Sequence, residues 1–189
     1  MTALLIKSKR YADDRGWFSE TYRLDGLTDV GISNVFRQDN HSFSVKAGTL
    51  RGIHFQNEPY VQAKLVRCTR GRIYDVAVDL RSGSPTFLKW VATELSAENG
   101  HQLFVPGGYG HGFLTLEANC EVQYKVDAYY SAESDAGVRW DDSAIGIIWP
   151  FAEQGLPAVT LSDKDGKLPF VGDIQLDFHY DGCPLLPLN

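Results

Sequence analysis

The chain has 189 residues, 43% hydrophobic and 22% charged, which suits one folded domain spanning residues 1–189 and excludes a disordered protein. A net charge of −6 excludes a general electrostatic grip on nucleic acid or an anionic membrane, so an anionic ligand needs a local cluster of Arg and Lys. Cys68, Cys120 and Cys183 show no metal-ligand spacing, and no apolar run has the length of a signal peptide or a membrane span, so a cytoplasmic protein with reduced thiols is expected.

Short alternating segments dominate, and few stretches carry a helical period. Strands are predicted over Trp17–Tyr22, Val35–Gln38, Leu50–Phe55, Lys64–Thr69, Ile73–Leu80, Lys89–Leu95, His101–Val105, His111–Leu116 and Glu121–Val126. Gly, Asn, Asp and Pro punctuate them at the spacing of a β-sandwich or barrel. From Pro157 onward the alternation fades, and short turns and helices are expected to pack onto the barrel. The reading is one all-β domain with a peripheral tail.

In chain order, Asp13-Asp14-Arg15-Gly16 reads as a turn entering a strand on which Phe18, Glu20 and Tyr22 share a face. On pattern alone this is a solvated edge strand; as a binding arm, Arg15 would supply a donor fork and Glu20 an acceptor. Gln38 and Asn40 lie on one side of an extended run and can offer donors and acceptors to a base or sugar, while His41 reads as a turn residue.

Leu50–Arg81 concentrates the reactive groups Arg51, His54 and Lys64. Strict alternation sets Arg51 and Ile53 on one face and Gly52 and His54 on the other, with Gly52 leaving a gap for a ligand or a second backbone. Lys64 opens the next strand, so a His and a Lys on neighbouring strands would both point into the mouth of a small barrel. Gly71 reads as the turn into a third strand.

Pro106-Gly107-Gly108-Tyr109-Gly110-His111 resembles the second half of the cupin signature, in which the His is a metal ligand. The first half normally supplies two His one residue apart and an acid; here His54-Phe55-Gln56 supplies one His. Two imidazoles fall short of the three protein ligands of catalytic zinc sites, so no metal is expected. Glu121–Tyr130 is expected to close the sheet, with Tyr124 and Tyr129 on opposite faces. Trp140–Pro150 reads as structural, and Ser162 three residues before Asp165 as a helix-capping pattern.

Taken in this order, Phe18-x-Glu20-x-Tyr22, Gln38-Asp39-Asn40-His41-Ser42, Leu50–Gln56, Gln62–Arg67, Asp75–Arg81, Pro106–Phe113, Tyr124-Lys125, Tyr129-Tyr130 and Leu161-Ser162-x-Lys164-Asp165 resemble the dTDP-4-dehydrorhamnose 3,5-epimerase family. The resemblance implies a cupin (jelly-roll) β-barrel, no cofactor, a dTDP-linked 4-keto sugar as substrate and a homodimer. It implies His54 as general base, Asp165 as the carboxylate holding its tautomer, Tyr124 as proton donor on the other sugar face, and Lys64 beside the C4 oxygen. Arg15 and Glu20 of a partner subunit, with Gln38, Asn40 and Arg51, would hold the nucleotide; His111 and Lys164 would complete the site. Where the family has Tyr-x-Pro-x-x-Glu after the double tyrosine, Asp135 keeps the charge on a side chain one methylene shorter.

The implied chemistry is consistent with these groups. The C4 carbonyl acidifies the protons at C3 and C5, and an imidazole of ordinary pKa about 6.5 is basic at neutral pH. A positioned base contributes roughly 10²–10⁴-fold, and a cation at the developing oxyanion adds on the order of 3 kcal/mol. An ammonium suits that point charge better than a planar guanidinium. Epimerisation at one carbon is the alternative outcome, and a metal-dependent cupin or a non-catalytic sugar-nucleotide-binding protein are the others.

Overall fold

The computed structural model describes residues 1–156 and 158–188; Pro157, where the expected tail begins, and Asn189, where the expected domain ends, lie outside the described residues. The first strands are β1 (Leu4–Lys7), β2 (Tyr11–Asp13), β3 (Gly16–Phe18), β4 (Gln38–Ser44), β5 (Leu50–Gln56) and β6 (Lys64–Arg70). They are followed by β7 (Arg72–Asp79), β8 (Trp90–Ser96), β9 (His101–Val105), β10 (Tyr109–Thr115), β11 (Cys120–Val126) and β12 (Asp135–Gly137). Among the described residues, one short helix, α1 (Leu24–Thr28), and two 3₁₀ turns, Asp165–Lys167 and Val171–Asp173, complete the elements.

Two five-stranded sheets, ordered β1-β9-β6-β11-β4 and β12-β5-β10-β7-β8, pack as a jelly-roll sandwich in which the paired strands run antiparallel. Alternation decides what each face does. Val66, Cys68, Leu103, Val105 and Val122 of the first sheet meet Ile73, Ala77, Leu95, Tyr109 and Phe113 of the second. The opposite face of the second sheet carries Ile53, Phe55, Val76 and Val78, covered by Val138, Ile145, Val171 and Phe178 from the C-terminal third. That second layer explains why β7 reads as a nearly continuous apolar run: it is buried on both sides. Among the described residues, no helix is long and apolar enough to cross a membrane.

Several local expectations are corrected. Trp17–Tyr22 is strand only to Phe18, because its partner β2 is three residues long, so Phe18, Glu20 and Tyr22 do not share a strand face. The run beginning at Val35 becomes strand at Gln38 and continues to Ser44, paired along its length with β11. His41 is therefore a strand residue, 3.3 Å from Glu121, and not a turn residue. β11 lies between β6 and β4 and does not close the sheet; it ends at Val126, so Tyr129 is outside it. β5 and β6 belong to opposite sheets, so His54 and Lys64 face each other across the sandwich and are not on neighbouring strands.

Candidate active site

Where β4, β11 and β6 oppose β5 and β10, the inward positions turn from apolar to polar, and two adjoining cavities of about 290 and 280 Å³ open between the sheets. His54, Lys64, Tyr124 and Lys164 line both. Gln38, Asn40, Gln56, Tyr130 and Asp135 lie along the first, and Ser42, Arg51, His111, Phe113, Ser162 and Asp165 along the second.

Arg51 and His54 share a cavity although strict alternation puts them on opposite faces. The β5–β10 register explains it: His54 pairs with His111 and Arg51 with Phe113, so three steps on β5 match two on β10. This β-bulge inserts one residue and turns Arg51 back to the side of His54, while Ile53 faces the outer apolar layer. The bulge depends on Gly52. Its φ is +127°, and a Cβ there would lie 2.5 Å from Gly112 Cα, so the gap beside His54 is filled by the β10 backbone.

His54 Nε2 donates to Asp165 Oδ1 at 2.5 Å, which leaves Nδ1 as the lone-pair nitrogen of the neutral ring. Asp165 is 4% exposed, at the start of the 3₁₀ turn, and its backbone N–H donates to Ser162 Oγ at 3.0 Å, so the capping pattern fixes the carboxylate. Burial works to raise its pKa, but the bond to His54, the charge of that ring, Ser162 and Lys164 outweigh burial and hold it below its ordinary value.

Lys64 is 8% exposed and its Nζ donates only weakly, at 3.4 Å, to the His54 carbonyl. Burial lowers its pKa from 10.5 to about 8, with the charges of Asp75 and Asp135 resisting the fall. Tyr124 has its phenol pKa raised by burial, Arg51 pulling it down and Asp135 pushing it up, so it holds its proton at neutral pH. On the β10 side, His111 Nε2 bonds Asp75 Oδ1 at 2.9 Å, and burial lowers the His111 pKa despite that carboxylate.

At the rim, Lys164 bridges to Asp135 at 2.5 Å and Tyr130 donates to the same carboxylate at 3.1 Å. Gln38 donates to Asn40 at 2.9 Å, and Arg51 donates to Ser44 Oγ and the Phe43 carbonyl, each at 3.2 Å. The structure thus brings together His54, Lys64, Tyr124, Asp165, Gln38, Asn40, Arg51, His111, Asp135 and Lys164. Arg15 and Glu20 stand apart. Arg15 is 89% exposed at the β2–β3 turn, paired with Asp13 at 2.5 Å, and Glu20 lies in a separate groove with Tyr22 and Lys125 that borders the site only at Asn40 and Tyr124. Among the described residues, no three His, Cys, Asp or Glu side chains are grouped as a metal-ligand set.

Sequence reasoning left Asp75, Ser42, Gln56 and Tyr130 without roles. Asp75 carried a usable signal: an acid at an inward position of β7, between Ile73 and Ala77, has to meet something polar inside.

A family model described as dTDP-4-dehydrorhamnose 3,5-epimerase matches residues 2–173. The chain is 51% identical over 180 residues to the dTDP-4-dehydrorhamnose 3,5-epimerase of Sinorhizobium fredii, covering 93% of this chain and 88% of that protein. Among solved structures it is similar to the Legionella pneumophila dTDP-6-deoxy-D-glucose-3,5-epimerase in complex with dTDP-4-keto-L-rhamnose (TM-score 0.88, 39% identity, 94% of this chain and 93% of that one). It is likewise similar to the Bacillus anthracis dTDP-4-dehydrorhamnose 3,5-epimerase with TDP and PPi bound (TM-score 0.84, 48% identity, 88% of this chain and 93% of that one).

Proposed function

The chain belongs to the dTDP-4-dehydrorhamnose 3,5-epimerase family, and from that premise we propose how its cavity divides the work of inverting C3 and C5 of a dTDP-linked 4-keto-6-deoxyhexose. The enzyme is an isomerase of that type (EC 5.1.3.13). His54 takes the proton from carbon through Nδ1, and Asp165 stabilises the imidazolium that forms. Lys64 places its ammonium at the C4 oxygen as the enolate develops, and Tyr124 delivers a proton to the other face. Arg51, Gln38 and Asn40 receive the nucleotide and its phosphates, Asp135 and Lys164 hold the sugar at the rim, and the buried His111 completes the site from β10.

The observation that carries this reading is the cavity shared by an imidazole already bonded to a carboxylate, a phenol that keeps its proton and a desolvated ammonium. The substrate is a dianion at its diphosphate, and Arg51, Lys164 and Lys64 are the local cations that offset the net charge of −6.

The working unit is a homodimer in which the β2–β3 hairpin supplies Arg15, and the segment after it Glu20, to the cavity of the partner. Its support is that Arg15 is exposed and lines neither cavity of its own chain, while Tyr11, Trp17 and Phe18 are 56%, 56% and 69% exposed on a hairpin that shares no ladder with either large sheet. The enzyme works in the cytoplasm, a placement supported by three free cysteines.

Proton NMR of the sugar during turnover in deuterium oxide tests the reaction. Deuterium is expected at both C3 and C5, and its exclusion from both positions would defeat the proposal. Label at a single carbon selects one-centre epimerisation.

A further inference from the structure

A hairpin of two three-residue strands does not hold its direction unaided. The β2–β3 hairpin makes no ladder with the sandwich, so its aim is set at its base. There, one residue before β2, Arg10 Nη2 donates to the Ala97 carbonyl at 2.6 Å and Nη1 donates to the Glu98 carbonyl, both in the β8–β9 turn. The same guanidinium stands over the hairpin, its Cζ 3.9 Å from the centroid of the Trp17 ring in β3. One guanidinium thus holds the sandwich through two N–H donors while its carbon sits over the Trp17 ring, a combination that suits a delocalised planar cation better than an ammonium.

The seat is shaped for it. Gly100 has φ +63°, and a Cβ there would lie 2.6 Å from Arg10 Nη2 and 2.9 Å from Cζ. Only a residue without a side chain takes that backbone conformation at no cost and leaves room for the guanidinium. Ser19 Oγ, one residue beyond β3, donates to the Lys9 carbonyl at 2.8 Å and closes the base from the other side.

We propose that Arg10, seated on Gly100 and set over Trp17, is a positioning residue that aims the hairpin and so sets where Arg15 meets the nucleotide in the partner's cavity. This rests on the hairpin reaching across the dimer. The lever is long relative to the tolerance of the contact. Three extended residues span about 10 Å, so a swing of roughly 20° at the base moves the tip by roughly 3.5 Å, more than a hydrogen bond survives.

The test is steady-state kinetics on the full chain with its sugar-nucleotide substrate. Arg15→Ala is expected to raise KM about tenfold or more, the loss of one bond to a charged group. Arg10→Ala and Gly100→Ala are expected to raise KM roughly three- to tenfold with kcat within about twofold, while Trp17→Phe, which keeps a ring for the cation, stays near the parent. If Gly100→Ala fails to fold, Arg10→Lys keeps the charge but not the two-pronged donor set over the Trp17 ring and is expected to raise KM similarly. Because Arg10 acts through Arg15, Arg10→Ala adds nothing in an Arg15→Ala background. A KM raised by Arg15→Ala but not by Arg10→Ala, or fully additive effects, overturns this inference alone. An unchanged KM in Arg15→Ala overturns the trans-arm reading and this inference with it.

Discussion

Arg81 and Lys64 are both cations buried within the sandwich, and their surroundings could hardly differ more. Arg81 bonds Asp79 through Nε at 2.8 Å and Nη2 at 3.0 Å; Nη1 reaches Asp181 and the Met1 carbonyl, and Nη2 is shared further with the Cys183 carbonyl and the Tyr109 hydroxyl. Ser84 and Thr86 donate to Asp79 at 2.7 and 2.8 Å, so both members of the pair are satisfied. Burial alone would lower the Arg81 pKa, yet the bonds and charges around it carry it above its ordinary value. Lys64 has one long bond to a carbonyl, and burial prevails. Ser42 Oγ and Asp75 Oδ2, buried atoms without a protein partner among the described residues, belong to the Lys64 region. A fully bonded buried charge ties the chain ends to the core; an under-bonded one is available to a ligand.

Removing the two cations should shift stability in opposite directions. Arg81→Met leaves Asp79 buried without its partner and is expected to destabilise the fold by about 3–5 kcal/mol, measured by urea unfolding. A loss below about 1 kcal/mol would mean the network is not structural. Lys64→Met should lower kcat by roughly 10²–10³-fold, the scale of losing one oxyanion donor. The same substitution should make the protein more stable at pH 7. With its pKa lowered from 10.5 to about 8 in the fold, the unfolded chain holds the Lys64 proton more tightly. Stability therefore rises with pH between those values, and an apolar residue removes an opposing contribution of up to about 3 kcal/mol. A Lys64→Met protein that is both active and less stable would return Lys64 to a packing role.

The two regions were not equally legible in the sequence. The strands of the second sheet announce themselves because apolar alternation meets apolar layers, as in Ile73–Leu80. The continuation of β4 past Gln38 was only partly legible: its inward residues Gln38, Asn40 and Ser42 face a polar cavity and not an apolar layer, so the stretch around His41 read like a turn. β1 and α1 are too short to show a period. The pairing of Arg51 with His54 was hidden for another reason: a bulge depends on the register of two strands, and a pattern read along one chain carries no register. The Arg81 network joins residues 79, 109, 181 and 183, a convergence that only the fold creates. The site roles came from motif order, which preserves chemistry where periodicity fails.

Tyr124 sharpens the contrast within the cavity. Tyr124→Phe keeps the ring in the β11 layer and removes only the proton, so kcat is expected to fall roughly 10²-fold while dTDP affinity and thermal stability hold. Equal losses in kcat and in stability, read by calorimetry beside the kinetics, would assign the hydroxyl to the core.

The smallest expected effect is the most selective. If the protonated form of Lys64 is required, kcat/KM should fall above about pH 8, approaching tenfold per unit, as the buried ammonium loses its charge. Tyr124 does not contribute to this limb, because burial lifts its pKa above its ordinary value of 10. Lys64→Arg keeps a charge through this range at the cost of geometry, so its profile should be lower throughout but level from pH 8 to roughly 9.5. A limb that survives unchanged in Lys64→Arg would have to come from another group, and the difference drawn between the two buried cations would lose its functional half.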